Sequence, residues 1–170
     1  MSVDRIRRQN PYRSPLATAM REHMKPPGLV YEAGVENVTD ANGFVRAGYD
    51  VATCNPHAIN GSIQRGVTFV NFDSYGLTHD THTAVISYGL LPVLSPRRAA
   101  SFIDNASKAI EPDGLLGIEY PVLDVLDVSD TDSLWNHDPN TVERIGEANG
   151  LQRVIFREEE TYARIIMRRI

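Results

Sequence analysis

The sequence predicts one α/β domain built on a mainly parallel sheet with helices on both faces. Three observations carry that expectation. Short β-branched segments with few charges alternate with segments of helical periodicity, the pattern of strand–helix–strand crossovers. The chain has 170 residues, of which 42% are hydrophobic and 23% charged, enough for one domain with a proper core. The last two apolar segments are joined only by Glu158-Glu159-Glu160. That connection is too short for a crossover and implies an antiparallel pair.

Taken in order, residues 1–14 carry Arg5, Arg7, Arg8 and Arg13 and read as a basic N-terminal arm, with residues 15–170 as the domain. Ser14 is placed to cap a helix whose first residue is Pro15, running from Leu16 to about Met24 and ending before Pro26-Pro27. Gly28–Glu32 is a strand closed by an acid. A short helix over Asp40–Ala47 ends at Gly48. Tyr49–Asn55 is a second strand stopped by Pro56, Val67–Phe72 a third, and Thr83–Tyr88 a fourth with the character of a strand covered on both faces. Ser95 and Pro96 then open a helix that places Ala99, Phe102, Ile103, Ala106 and Ile110 on one face. Glu111-Pro112-Asp113-Gly114 is a turn and Leu115–Tyr120 a fifth strand. Asp138 and Pro139 start a helix carrying Val142, Ile145 and Ala148 that stops at Asn149-Gly150. Leu151–Phe156 and Tyr162–Ile170 complete the sheet.

A net charge of -5 argues against attraction of the whole surface to nucleic acid or anionic lipid. The charge is uneven, since Arg164, Arg168 and Arg169 also crowd the C-terminus. The basic arm can either grip phosphates or lie solvated. Cys54 is the only cysteine, so no internal disulfide forms. No segment approaches the roughly 20 apolar residues of a membrane span, and the N-terminus has no apolar signal region. The expectation is a cytoplasmic protein with no membrane partner.

In open parallel sheets ligands bind beyond the carboxyl ends of the strands. The loops after Glu32, Asn55, Phe72 and Tyr88 are therefore where chemistry is expected. Over residues 15–170 the sequence resembles class I S-adenosylmethionine-dependent methyltransferases, most of all the compact proteins of that type in phages and bacteria. The resemblance lies in Leu29-Val-Tyr-Glu-Ala-Gly-Val-Glu-Asn-Val-Thr-Asp40, Gly48-Tyr-Asp-Val-Ala-Thr-Cys-Asn-Pro56, Val85-Ile-Ser-Tyr-Gly-Leu-Leu91, Ile110-Glu-Pro-Asp-Gly-Leu-Leu116 and the terminal hairpin. It implies a Rossmann-like methyltransferase fold and transfer of a methyl group from S-adenosylmethionine to an acceptor the sequence does not identify. Glu32, Gly34, Asn37 and Asn55 are then cofactor-binding residues and Asp73 an adenine contact. Ser87 and Tyr88 face the acceptor. No Asp/Asn-Pro-Pro-Tyr motif is present, which argues against amide or adenine-N6 methylation of the usual kind.

The first motif departs from the family pattern of an acid followed by Gly-x-Gly-x-Gly. Gly34 is kept, but Glu36 and Val38 stand at the next two glycine positions, and Asn55 stands at the second-strand acid. Glu36 brings a carboxylate toward the place of the methionine carboxylate, Val38 adds a stiff β-branched side chain, and Asn55 bonds a hydroxyl without charge assistance. Those departures motivate a second reading, an inactive descendant that binds a protein partner or another nucleotide-like ligand. A third is a nucleic-acid accessory protein acting through its arm. Several residues also have plainer readings: Glu32 as a cap, Gly34 as a turn, Asn55-Pro56 as a strand end, Asp73 as a polar loop residue. His79, Asp80 and His82 lack the further ligands of a zinc site, so they read as a solvated loop and no metal is expected. Cys54 reads as an inert core thiol, and Trp135 either closes over a pocket or anchors a loop.

Overall fold

The computed structural model describes residues 10–60, 66–122 and 134–170. Its four α-helices are α1 (Pro15–Met20), α2 (Ala41–Ala47), α3 (Pro96–Ala109) and α4 (Pro139–Ala148), with short 3-10 turns at Arg21–His23, Pro56–Asn60 and Leu91–Val93. Seven strands, β1 (Leu29–Gly34), β2 (Asp50–Thr53), β3 (Val67–Phe69), β4 (His82–Tyr88), β5 (Ile110–Pro121), β6 (Leu151–Glu158) and β7 (Tyr162–Arg169), form one sheet in the order β3-β2-β1-β4-β5-β7-β6. The first five run parallel, and β7 pairs antiparallel with both β5 and β6. This is the Rossmann-like α/β architecture expected, terminal hairpin included. The strand order reverses between β1 and β4, which opens a crevice at their carboxyl ends.

Side-chain alternation divides the core into two layers. Val30, Val51, Ala84, Ile86 and Leu115 pack with Leu16 and Met20 of α1 and Phe44 of α2. On the other face Tyr31, Ala33, Val85, Leu116 and Ile118 pack with Phe102, Ile103 and Ala106 of α3 and Val142 of α4. The predicted caps are in place: Ser14, Ser95 and Asp138 accept from the backbone N–H groups of Ala17, Arg98 and Thr141, and Gly48 ends α2. Tyr12 and Ser14, at the end of the basic arm, are buried. The Asp40 carboxylate accepts from the backbone N–H groups of Arg13 and Ser14 and from the Ser14 hydroxyl, at 2.5, 3.1 and 2.5 Å. Residues 1–9, with Arg5, Arg7 and Arg8, lie outside the described residues.

Several boundaries differ from the sequence expectation: α1 gives way to a 3-10 turn after Met20, β2 is only Asp50–Thr53, Ile110 opens β5 instead of closing α3, and three further differences shape the site. β1 continues two residues past Glu32, to Gly34. β3 stops at Phe69, because the Asn71 side chain and carbonyl take the N–H groups of Asp73, Ser74 and Tyr75 and turn the chain. The predicted Glu111–Gly114 turn is a bulge within β5: His82 pairs with Ile110 and Ala84 with Leu115, so four residues loop out between them.

Residues 70–81 contain no helix, and Phe72, Tyr75 and Leu77 of this turn-containing segment pack on the core. Tyr75 lies on Tyr31 with ring centroids 4.4 Å apart, and its hydroxyl meets His82 Nε2 at 2.7 Å. His82 is buried, with its other ring nitrogen on the Thr81 hydroxyl. It is thus a core residue and no part of a solvated loop. Burial lowers its pKa, and the charge of Glu111 only partly offsets this. The unfolded chain therefore binds more protons than the folded one as pH falls below about 6.5, so folding stability should drop there. Melting temperatures measured at pH 7.5 and 5.5 should fall more for the wild type than for His82→Gln; equal falls would remove His82 as the cause.

Candidate functional site

At the carboxyl end of β1, Glu32 is buried and has no cationic partner among the described residues. Its carboxylate accepts from the Thr39 hydroxyl at 2.6 Å, the Thr53 hydroxyl at 2.7 Å and the Asp40 backbone N–H at 2.6 Å. Burial raises its pKa while the three donors oppose that shift. Glu32 therefore joins β1, β2 and the start of α2. All three bonds are internal, the arrangement of a cap for the turn.

Gly34 ends β1 in tight quarters. A Cβ there would stand 3.2 Å from the Tyr88 carbonyl oxygen and 3.3 Å from Asn55 Nδ2. Asn55 is buried, and its amide donates to the carbonyls of Glu36 at 3.2 Å and Val38 at 3.0 Å and accepts from His57 N–H at 3.0 Å. Both amide hydrogens are thus committed to the loop after β1. Gly89, which follows Gly34's strand partner Tyr88 just past β4, has φ +70°. A Cβ on Gly89 would fall within the Glu36 side chain, which lies directly over it.

Beside this slot is a cleft of about 280 Å³, lined among others by Glu36, Asn37, Tyr88, Glu119, Tyr120 and Tyr162. Glu119 is ion-paired with Arg164 at 2.5 Å. Burial raises the Tyr88 pKa, and the charges of Glu119, Glu36 and Asp40 push it the same way against Arg164. The hydroxyl is thus held protonated at neutral pH and can donate a hydrogen bond or orient a group in the cleft. Ser87, its neighbour, is fully buried on the opposite face, in register with Ala33 and Ile118, and its hydroxyl has no partner among the described residues.

Asp73 lies apart from this cleft. It is largely exposed and paired with Arg98 at 2.6 Å, on the rim of a second cleft of about 400 Å³ that includes Tyr31 and Phe102. The Cys54 thiol sits beside the Tyr31 hydroxyl, and burial raises both pKa values. Trp135 is about half exposed, its backbone N–H bonded to the Pro92 carbonyl at 2.7 Å. The structure thus brings Gly34, Asn37, Asn55 and Tyr88 together, keeps Glu32 beneath them, and separates Ser87 and Asp73. Gly89, Glu119 and Tyr162 were not singled out from sequence. A glycine directly after a strand was the one available signal, and the cleft walls from β5 and β7 need the sheet order to be seen.

For S-adenosylmethionine to sit at the switch point, the space above Gly89 must be open. Gly34 pairs with Tyr88 across the switch point, and the next residue, Gly89, leaves open the space where a Cβ would stand. What fills it is Glu36, an exposed residue on a loop, whose side chain has other staggered rotamers to move to. Asn55 is the feature that does not fit, because its amide holds the loop.

No protein-family model and no curated protein matches the chain. Solved structures do. It superposes on 1,6-didemethyltoxoflavin-N1-methyltransferase of Burkholderia thailandensis, a structure with S-adenosylhomocysteine bound, with a TM-score of 0.69 and 16% identity over 91% of this chain and 76% of that one. An S-adenosylmethionine-dependent methyltransferase of Mesorhizobium loti gives 0.67 and 12% over 89% and 96%. The magnesium protoporphyrin IX methyltransferase of Synechocystis PCC 6803, also with S-adenosylhomocysteine, gives 0.68 and 14% over 91% and 80%. The chain has the class I methyltransferase fold. Among the described residues, no helix is long and apolar enough to cross a membrane.

Proposed function

We propose that the protein is an S-adenosylmethionine-dependent methyltransferase whose cofactor enters between Gly34 and Gly89 when Glu36 swings aside. The observation that carries this is Gly89, just past β4 on the wall of the Tyr88 cleft, where the Glu36 side chain occupies the space a Cβ would take. The backbone of the Gly34–Val38 loop and Gly89 would hold the cofactor, with Asn37 at the cleft side. Bound there, it supplies a methyl group already activated by a positive sulfur. The protein's part is then positioning: the cleft walls orient the acceptor, and the protonated Tyr88 hydroxyl offers it a hydrogen bond. Glu32 acts beneath the loop by fixing where α2 begins.

Calorimetric titration of the full chain with S-adenosylmethionine tests this. Saturable heat is expected, and none at millimolar ligand would overturn it.

A second reading, a methyltransferase-fold protein that has lost its cofactor and serves a partner, is favoured by Asn55. Its amide stitches the loop from within and leaves no N–H for a ribose. On that reading neither the wild type nor a variant lacking the Glu36 side chain gives heat.

A further inference from the structure

We propose that residues 70–81 form a strap, clasped onto the sheet by neutral His82 and released when that imidazole takes up a second proton. The strap is tied at its ends, by the backbone N–H of Val70 to the Thr53 carbonyl and by those of Asp80 and Thr81 to the carbonyls of Lys108 and Ala109. Between those ends, the backbone bonds found among the described residues stay within the turn, from Ser74 and Tyr75 to Asn71. Of residues 71–80 only Phe72, Tyr75 and Leu77 are half-buried, and the rest are exposed.

Hydrogen-bond direction fixes the state of the clasp. The Thr81 hydroxyl lies 2.7 Å from the Thr78 carbonyl oxygen and donates to it. Having one hydrogen, it can only accept from His82 Nδ1, 2.8 Å away, so Nδ1 carries the ring proton. Nε2 is then bare and accepts from the Tyr75 hydroxyl at 2.7 Å. A second proton, on Nε2, would meet the hydroxyl hydrogen and force this bond to reverse. It would also place a cation on a residue 2% exposed whose ring nitrogens both face hydroxyls.

The charged groups around the ring supply no bonded counter-ion. Glu111, on the β5 bulge, favours the imidazolium by its charge, but its carboxylate is bonded to the Thr83 hydroxyl and burial of the ring outweighs it. Asp80 is paired with Arg169, and Lys108 with Asp104. Tyr31 and Tyr75 meet the ring edge-on, and burial raises the pKa of both phenols. The imidazolium therefore favours a state that gives His82 water, and lifting Tyr75 does so without parting any strands. Phe72, Tyr75 and Leu77 also wall the cleft of about 400 Å³ beside Tyr31 and Phe102, so acid reshapes that cleft. Methyl transfer plays no part in this.

The full chain can be tested directly. Long-range ¹H–¹⁵N spectra at pH 7.5 should show His82 protonated at Nδ1; a proton on Nε2 would overturn the clasp. Hydrogen exchange of the Tyr75 amide, corrected for the intrinsic rate at each pH, should give an opening constant that rises up to about tenfold from pH 7.5 to 5.5. That opening should be insensitive to about 1 M urea, unlike exchange of the Ile103 amide within α3. A rise below about twofold, or a urea response equal to that of Ile103, would contradict local release. Tyr75→Phe keeps the ring without its hydroxyl and should raise the opening constant at pH 7.5 about fivefold. His82→Gln should abolish the pH dependence. An opening constant unchanged in Tyr75→Phe, or a pH rise retained in His82→Gln, would count equally against the proposal.

Discussion

Replacing Glu32 with alanine is expected to destabilise the fold by about 3 kcal/mol, one of the largest effects available at a single polar residue. The substitution strands two buried donors, the Thr53 hydroxyl and the Asp40 N–H, with the half-buried Thr39 hydroxyl, and leaves a void between β1 and β2. Each unsatisfied buried group costs about 1–3 kcal/mol, and removing a carboxylate that is itself costly to desolvate offsets part of the sum. In a chain of this size that is a fall in melting temperature of about 6–12 °C. Glu32→Gln should lose less, because it keeps the shape and one acceptor oxygen. Urea unfolding of the two variants checks the argument. A loss below about 1 kcal/mol for Glu32→Ala would mean that the donors find other partners.

The second large effect concerns binding. Glu36→Ala is expected to tighten S-adenosylmethionine binding by about tenfold, equivalent to 1.4 kcal/mol. Two costs disappear together: displacing the side chain from above Gly89, and bringing a carboxylate toward the carboxylate of the ligand. Stability should hardly change, since Glu36 is exposed and makes none of the ion pairs found among the described residues. Calorimetry of wild type and variant in parallel gives the ratio. An unchanged or weakened affinity would show that Glu36 does not fill the ligand's place.

The order of strands and helices was legible in the sequence because periodicity and caps are local properties. Ser14, Gly48, Ser95 and Asp138 each mark a boundary that the structure keeps. The site was legible only in part. Glu32 could be placed at a strand end, but its partners Thr39 and Thr53 lie 7 and 21 residues away, and only the β1–β2 register brings Thr53 opposite it. Period-two alternation puts Ser87 and Tyr88 on opposite faces. Which of them meets a cleft depends on how α1–α4 cover the sheet, so the pair could not be divided in advance. Its place at a strand end makes Asn55 either a ligand contact or a strand stop, and that its amide hydrogens go to Glu36 and Val38 depends on how the loop curls back. His82 resembled a loop histidine because Asp80 and His79 precede it; the bulge that pairs it with Ile110 carries it into the sheet.

The claim on which the functional reading turns is that a ligand lodges between Gly34 and Gly89. ¹⁵N–¹H NMR of the full chain titrated with S-adenosylmethionine tests it at those two positions. Saturable shifts of the Gly34 and Gly89 amides, larger in Glu36→Ala at equal ligand below saturation, are the predicted result. Spectra in which both amides stay unmoved at millimolar ligand, in wild type and variant alike, would contradict it.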